Sequence, residues 1–306
     1  MARVAAGPGG LARATLASAH GDAEVCLQGA HVTHWQPRGA APVLFLSSRA
    51  EMAPGRPIRG GVPVVFPWFA TRAGAPAAPA HGFARTRPWR LDTVEQAGDA
   101  VTLTLLLEAD ETTRRLWPHD FLLRYRITLA SALTLALEVV NTSSRPWAFE
   151  NALHTYLAVG DVTAVTVEGL AGASFIDKTD GMRRKRQDGA SLRIAAETDR
   201  VYVGTRGRCI VDDPVHDRRL VIDKHGSATT VVWNPGAEKA AAVPDLGPGE
   251  WRHLLCVETA NAADDALRLA PGERHEMVAT LAVAGGRTPR APARLLQSPG
   301  PEETAR

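Results

Sequence analysis

Short apolar or alternating runs, each closed by a turn signal, recur along almost the whole chain, and no stretch carries a sustained 3.6-residue apolar stripe. Residues 101–108 (VTLTLLLE) and 124–140 (RYRITLASALTLALEVV) are the clearest. Similar runs follow at 162–168, 201–206, 219–223, 229–233, 252–258 and 276–284. Turn signals fall between them, among them Ala97-Gly98-Asp99, Asn234-Pro235-Gly236 and Pro271-Gly272-Glu273. This pattern predicts an all-β sandwich of many short strands. The 306 residues would allow two domains, but no composition break falls within 11–286, which predicts a single domain there. Residues 1–10 are expected to be flexible, and the Pro- and Arg-rich tail at 287–306 to be disordered.

Thirty-five Lys and Arg against 33 Asp and Glu give a formal charge of +2, too balanced to argue for a nucleic-acid partner. No apolar stretch is long enough for a membrane helix, and the N-terminus lacks the apolar core of a signal peptide, so a cytoplasmic protein is expected. Cys26, Cys209 and Cys256 are far apart and odd in number, which predicts buried reduced thiols. No phosphate-binding loop, nucleophile elbow or zincin motif occurs. His31 and His34 form an HxxH, but strand alternation would send the two rings to opposite faces, so no metal site is expected. The basic run 183–186 (RRKR) reads as a solvated loop.

Four segments gather polar functional groups among Gly, Pro and aromatic residues. They are IRGGVPVVFPWF at 58–69, HGFAR at 81–85, ENALHTYL at 150–157 and LCVET at 255–259. Alternation puts His154 and Tyr156 on one strand face, opposite Leu153, Thr155 and Leu157. It also puts Glu258 on the face of Leu254 and Cys256, an apolar side. A carboxylate there is desolvated, its pKa is pushed up, and it becomes a plausible general base. Taken alone, a strand histidine is more often a hydrogen-bonded structural residue, and Glu258 could pair with any of many arginines.

Together these segments resemble the hexose-6-phosphate mutarotases, the glucose-6-phosphate 1-epimerase branch of the aldose 1-epimerase family. The resemblance also takes in the GLAG and FIDKTDG stretch, ETDRVY at 197–202 and VVWNPGAEKA at 231–240, in order from about residue 25 to about residue 284. It implies a galactose-mutarotase-like β-supersandwich and a cofactor-independent enzyme that exchanges the anomers of a sugar phosphate. By the resemblance, Glu258 is the base, His154 the acid, and His81 holds the sugar ring near O5. Asp199 would bind sugar hydroxyls, Tyr156, Trp233 and Asn234 would belong to the substrate site, and Arg59 and Arg85 would bind the 6-phosphate. A guanidinium fork suits that last task.

One departure stands out: Gly236 occupies the position where the family is expected to carry a second Trp after Asn-Pro, which could widen the site wall or relax a loop contact. Trp68, Trp89 and Trp233 fall in or beside the family segments and are expected to line a sugar pocket, with Trp35, Trp117, Trp147 and Trp251 in the core. An aldose 1-epimerase of unphosphorylated sugars and a non-catalytic carbohydrate-binding module remain open, as does the oligomeric state.

Overall fold

The computed structural model describes residues 1–285. The expected disordered tail, 287–306, lies outside the described residues. A nine-stranded antiparallel sheet runs from Ser191–Arg193 through Thr166–Glu168, Cys209–Asp213, Arg218–His225 and Arg274–Gly285. It continues through Leu133–Asn141, Phe121–Leu129 and Ala100–Glu108 to Arg90–Ala97. An eight-stranded sheet carries, in order, Arg183–Arg186, Ser174–Asp177, Thr198–Tyr202, Thr229–Asn234, Leu254–Asn261, Asn151–Leu153 and Val64–Val65, with Tyr156–Ala158 also paired to Leu254–Asn261. A four-stranded sheet (Ala2–Ala6, Ala12–Ser18, Gly21–Cys26, His31–Pro37) and a two-stranded ribbon complete the architecture. The only α-helices among the described residues are two six-residue pieces, Glu111–Leu116 and Gly236–Ala241.

The expected runs at 101–108, 219–223, 229–233 and 276–284 are strands. The run 124–140 is two strands of a hairpin, Phe121–Leu129 and Leu133–Asn141. Its inward positions (Phe121, Leu123, Tyr125, Ile127 and Leu129) alternate with half-exposed ones, the period-two signature of a sheet with one buried face. Three runs are displaced: 201–206 overlaps a strand that begins at Thr198, 252–258 overlaps one that begins at Leu254, and only the end of 162–168 is paired, as Thr166–Glu168.

Residues expected to be flexible at the N-terminus include Ala2–Ala6, which pair antiparallel with Ala12–Ser18 as an edge strand. The 183–186 run is also a strand rather than a loop. It closes the edge of the eight-stranded sheet, and its charges are met by acids: Arg184 by Asp264 at 2.7 Å, and Lys185 by Asp177 and Asp180 at 2.8 and 2.7 Å. Charged side chains on an edge strand discourage pairing with another sheet.

A β-bulge corrects the reading of HxxH. The ladder pairs Cys26 with His31 and Glu24 with His34, so Thr33 is the extra residue and both histidines lie on one side. Their rings still take separate partners: His31 Nε2 meets Gly60 O at 2.7 Å and His34 Nε2 meets Asp22 at 3.1 Å. Cys26, Cys209 and Cys256 are free and buried, as expected.

The main core draws on all three large sheets. From the eight-stranded sheet it takes Leu153, Leu157, Phe175, Tyr202, Val232, Leu255 and Val257. The other face of that sheet carries smaller clusters, one around Tyr156, Leu254 and Cys256 and one around Val201, Val231 and Ala260. Glu258 therefore projects from the face turned away from the main core, among satellite apolar residues. That face holds the site.

Candidate active site

Register builds the site. On the outer face of the eight-stranded sheet, Asp199 pairs with Trp233, Trp233 with Cys256, and Cys256 with Tyr156, one row across four strands. Leu153 pairs with Thr259 and Tyr156 with Cys256 in one continuous register, which sets His154 directly opposite Glu258. Directly opposed antiparallel residues have neighbouring side chains, and His154 Nε2 lies 3.3 Å from Glu258 Oε1. The two are 104 positions apart in the chain, and one pair of adjacent chain segments brings them together, not two walls facing each other across a pocket.

The RGG segment supports this row from one end. Tyr156 N–H donates to Gly61 O at 2.9 Å, His154 N–H to Pro63 O at 3.0 Å, and Gly61 N–H to Phe45 O at 2.6 Å. Gly60 and Gly61 have φ of +113° and +60°, and a Cβ on Gly61 would overlap Val32 O and the His31 ring. Only glycine fits so close a backbone approach. Burial holds the His31 imidazole neutral, its pKa down to about 4, so Nε2–H donates to Gly60 O and pins the turn. Arg59 is thereby aimed along the sheet: Nη1 donates to the Tyr156 hydroxyl at 3.0 Å, and Nε and Nη2 reach Asp245 Oδ1 at 3.1 Å.

These residues surround a cavity of about 140 Å3 lined by Arg59, Phe69, His81, His154, Tyr156, Lys178, Asp199, Val231, Trp233 and Glu258. Glu258 is 1% exposed and His154 7%. Burial drives the Glu258 pKa well above the usual carboxylate range, and the nearby Asp199 charge adds to it. Burial also drives His154 well below the usual imidazole value, helped by His81 and the Arg85 and Arg59 charges. Both shifts disfavour the charged forms, the Glu258 carboxylate and the His154 imidazolium. Glu258 Oε2 and His154 Nδ1 have no hydrogen-bond partner among the described residues. The His154 ring stacks on Tyr156 (4.8 Å, 12°) and meets Trp233 edge-on at 6.2 Å.

His81, at φ +64°, accepts the Ala70 N–H at Nδ1 (3.3 Å), which requires the Nε2–H tautomer. Burial and the Arg85, Lys178 and Arg59 charges keep it neutral. Its ring centroid is 5.4 Å from that of His154. Asp199 Oδ2 is held by Lys178 Nζ at 2.9 Å.

Seven of the nine expected residues thus share one cavity: His154, Glu258, His81, Arg59, Asp199, Tyr156 and Trp233. Two do not. Asn234 is fully buried behind the wall, donating to Trp251 O and Leu254 O (2.7 and 2.9 Å) and accepting from Gly236 N–H (2.8 Å). Arg85 lies on the short 3-10 turn Ala84–Thr86, off the lining, with Nη2 on Ala80 O at 2.8 Å. Of the tryptophans expected at the pocket only Trp233 lines it; Trp68 and Trp89 are core residues whose indole N–H groups donate to Pro79 O and Ala84 O. Gly236 also sits off the wall. Its φ is +64° and a Cβ would press on Glu197 N at 2.9 Å, so it serves the turn into Gly236–Ala241.

Lys178 and Phe69 were not singled out from the sequence. Both lie within segments quoted for the resemblance, FIDKTDG and IRGGVPVVFPWF, where only the third dimension distinguishes them from their neighbours.

The sandwich and its site have relatives. The chain belongs to the aldose 1-epimerase family, whose pattern it matches over residues 13–281. A protein of Cenchrus ciliaris provisionally named glucose-6-phosphate 1-epimerase is 35% identical over 277 residues, 87% of this chain and 83% of its own. One of Escherichia coli K12 with the same provisional name is 36% identical over 242 residues, 79% and 80%. In three dimensions the chain is similar to YeaD of Salmonella typhimurium, described provisionally as a mutarotase: TM-score 0.84, 32% identity, 90% of this chain and 91% of that one covered. A galactose mutarotase-like protein of Clostridium acetobutylicum, 14% identical, shares the fold (TM-score 0.74, 93% and 98% covered). The all-β, galactose-mutarotase-like architecture expected from the sequence is therefore the one found. No helix among the described residues is long and apolar enough to cross a membrane.

Proposed function

We propose that the chain is a cofactor-independent hexose-6-phosphate mutarotase, exchanging the α and β anomers of D-glucose 6-phosphate and related hexose 6-phosphates. The observation that carries this reading is the His154–Glu258 pair, directly opposed in register and 3.3 Å apart on the wall of a cavity ringed by Arg59, Lys178, His81 and Asp199. The glucose-6-phosphate 1-epimerase names of the relatives agree with it.

Anomer exchange asks for a base at O1 and an acid at O5. Both oxygens are bonded to the same carbon, so the two groups must stand side by side, as neighbouring strands hold these. Glu258 takes the O1 proton, the O1–H electrons form the C1 carbonyl, and the C1–O5 electrons pass to O5, which takes a proton from the His154 imidazolium. Rotation about C1–C2 presents the other carbonyl face. O5 then adds back, returning its proton to His154, while O1 recovers one from Glu258. The pair ends with the proton count it began with, and no electrons are exchanged with a cofactor.

In the empty site burial favours the proton on Glu258. Transfer to His154 makes the reactive form, and a bound phosphate dianion favours it by offsetting the Arg59 and Arg85 charges that depress the imidazole. His81 offers Nε2–H to the ring oxygen or a neighbouring hydroxyl. Asp199, oriented by Lys178, accepts from sugar hydroxyls, and the Trp233 and Tyr156 rings flank the sugar. One large core cluster spanning three sheets supports reading residues 11–286 as a single domain. Three free buried cysteines fit a reducing compartment, and we assign the protein to the cytoplasm.

A second reading, a mutarotase of unphosphorylated sugars, is favoured by the engagement of Arg59 with Asp245 and Tyr156. Exchange measured by NMR saturation transfer separates the two. Faster exchange of glucose 6-phosphate than of glucose is expected, and equal acceleration of both would overturn the phosphate assignment.

A further inference from the structure

Glu150 lies at the single-residue break between Trp147–Phe149, which pairs in the two-stranded ribbon, and Asn151–Leu153 of the eight-stranded sheet. Its carboxylate joins two turns. Oε2 accepts the Phe69 N–H and Oε1 the Ala263 N–H, both at 2.8 Å. The Glu150 N–H donates to Pro67 O at 2.9 Å, so backbone and side chain together grip residues 67–69. The Ala263 turn is itself anchored. It follows the strand that carries Glu258, Thr229 Oγ1 accepts the Ala262 N–H at 3.2 Å, and Asp264 meets Arg184 at 2.7 Å.

The gripped segment leads straight to His81. Ala70, next to Phe69, donates its N–H to His81 Nδ1 at 3.3 Å, and its carbonyl accepts the His81 N–H at 2.8 Å. The Phe69 and His81 rings meet edge-on at 4.9 Å on the cavity wall. Ala70, His81 and Ala263 have φ of +55°, +64° and +55°, three of the six non-glycine residues in the left-handed region among the described residues. Such backbone is costly for a residue with a Cβ and persists only where the surroundings fix it. Here one carboxylate, with a charge-assisted hydrogen bond from each oxygen, ties two of these three turns together.

A neutral imidazole carries one ring proton, and the hydrogen bond at one nitrogen decides where that proton sits. With the Ala70 N–H at Nδ1, the proton is on Nε2. Were that N–H to drift away, Nδ1 could take the proton, and Nε2 would accept where the opening sugar needs a donor. We propose that Glu150 is a positioning residue for anomer exchange: by holding the Phe69–Ala70 turn against His81, it keeps the ring proton on Nε2 as the donor to the sugar. The proposal rests on the mutarotase reading above.

The test uses Glu150→Ala and Glu150→Gln in the full chain, the second keeping the shape but only one acceptor oxygen. Long-range nitrogen–proton NMR spectra of the imidazoles read the His81 tautomer, with His81→Asn assigning its signals. The native protein should show the Nε2–H form alone, Glu150→Ala a mixture with the Nδ1–H form, and Glu150→Gln a smaller share of that form. Glu150→Ala should also lower kcat for glucose 6-phosphate exchange about tenfold, the effect of one hydrogen bond lost in the transition state. Added to His81→Asn, the same change should cost at most about twofold more, since it acts through that ring, whereas a merely structural role would repeat the whole loss. If Glu150→Ala, or Glu150→Gln should the former fail to fold, keeps the pure Nε2–H form, the assignment is wrong. If the tautomer shifts as expected but the native protein exchanges no anomers, the hold of Glu150 on His81 is upheld and the mutarotase reading falls.

Discussion

His154, in the link between the strands Asn151–Leu153 and Tyr156–Ala158, faces Glu258 of the neighbouring antiparallel strand Leu254–Asn261, Nε2 to Oε1 at 3.3 Å, and both are almost wholly excluded from water. The pair is a single proton-holding unit, because desolvation penalises imidazolium and carboxylate alike and each charge is tolerable mainly in the presence of the other.

Glu258→Gln is therefore expected to lower kcat for anomer exchange by at least about a hundredfold, the range of general acid–base catalysis. His154→Asn should do the same, and the double variant should be little worse than either, since the two act together. Saturation transfer with glucose 6-phosphate, alongside circular dichroism to verify the fold, checks this. Native-rate exchange by Glu258→Gln would rule out the mechanism.

The pH profile follows from the shared proton. Exchange requires the pair to carry one proton. The acid limb marks entry of a second, onto His154, whose depressed pKa puts that limb below the ordinary histidine range. The alkaline limb marks loss of the only proton, from Glu258, whose raised pKa puts it above the ordinary carboxylate range. A rate still rising steadily through neutrality, with the midpoint of an ordinary histidine, would contradict it.

Asn234→Ala should act on stability and not on binding. The side chain makes three internal hydrogen bonds, and its loss leaves the Trp251 and Leu254 carbonyls short of a donor. A cost of about 1–3 kcal/mol is expected from the desolvated groups, read as a lower Tm. KM for glucose 6-phosphate should stay within about twofold of native.

Gly61→Ala should destabilise strongly. It combines a left-handed φ with overlap against Val32 O and the His31 ring, and strain of this kind costs about 1–3 kcal/mol before the clash is counted. Denaturant unfolding measures it, with a native-like midpoint as the contrary outcome.

Lys224 gives a stability test remote from the site. Its ammonium is buried against Thr230 Oγ1 (2.7 Å) and Thr229 O (2.9 Å), and burial lowers its pKa to about 8. A folded-state pKa below the unfolded one makes folding more favourable as pH rises from about 8 towards the ordinary lysine value, and less favourable as pH falls through 8. Native Tm relative to that of Lys224→Met should therefore rise between pH 7.5 and roughly 10. A constant difference would contradict the depressed pKa.

Much of this was open to a reader of the chain alone. Period-two alternation over 101–108 and 124–140 and the turns between runs specify paired strands with one buried face, because side-chain direction in a strand depends only on position parity. Parity also put His154 with Tyr156, and Glu258 with Cys256, on shared faces. It misled at HxxH, where a bulge at Thr33 shifts the count by one. Nearness to the family segments misled at Trp68 and Trp89, which lie outside the strands and pack into the core.

Which strands become neighbours was decided only in three dimensions. Local pattern sets which face each strand presents, but the pairing of residues 153–156 with 256–259 depends on long-range register, and that alone sets the imidazole against the carboxylate. The same holds for the cations. Arg59 and Arg85 are alike as letters, yet one lines the site cavity and the other turns to a backbone carbonyl, because a long side chain takes its partner from the tertiary surroundings and not from its neighbours in sequence.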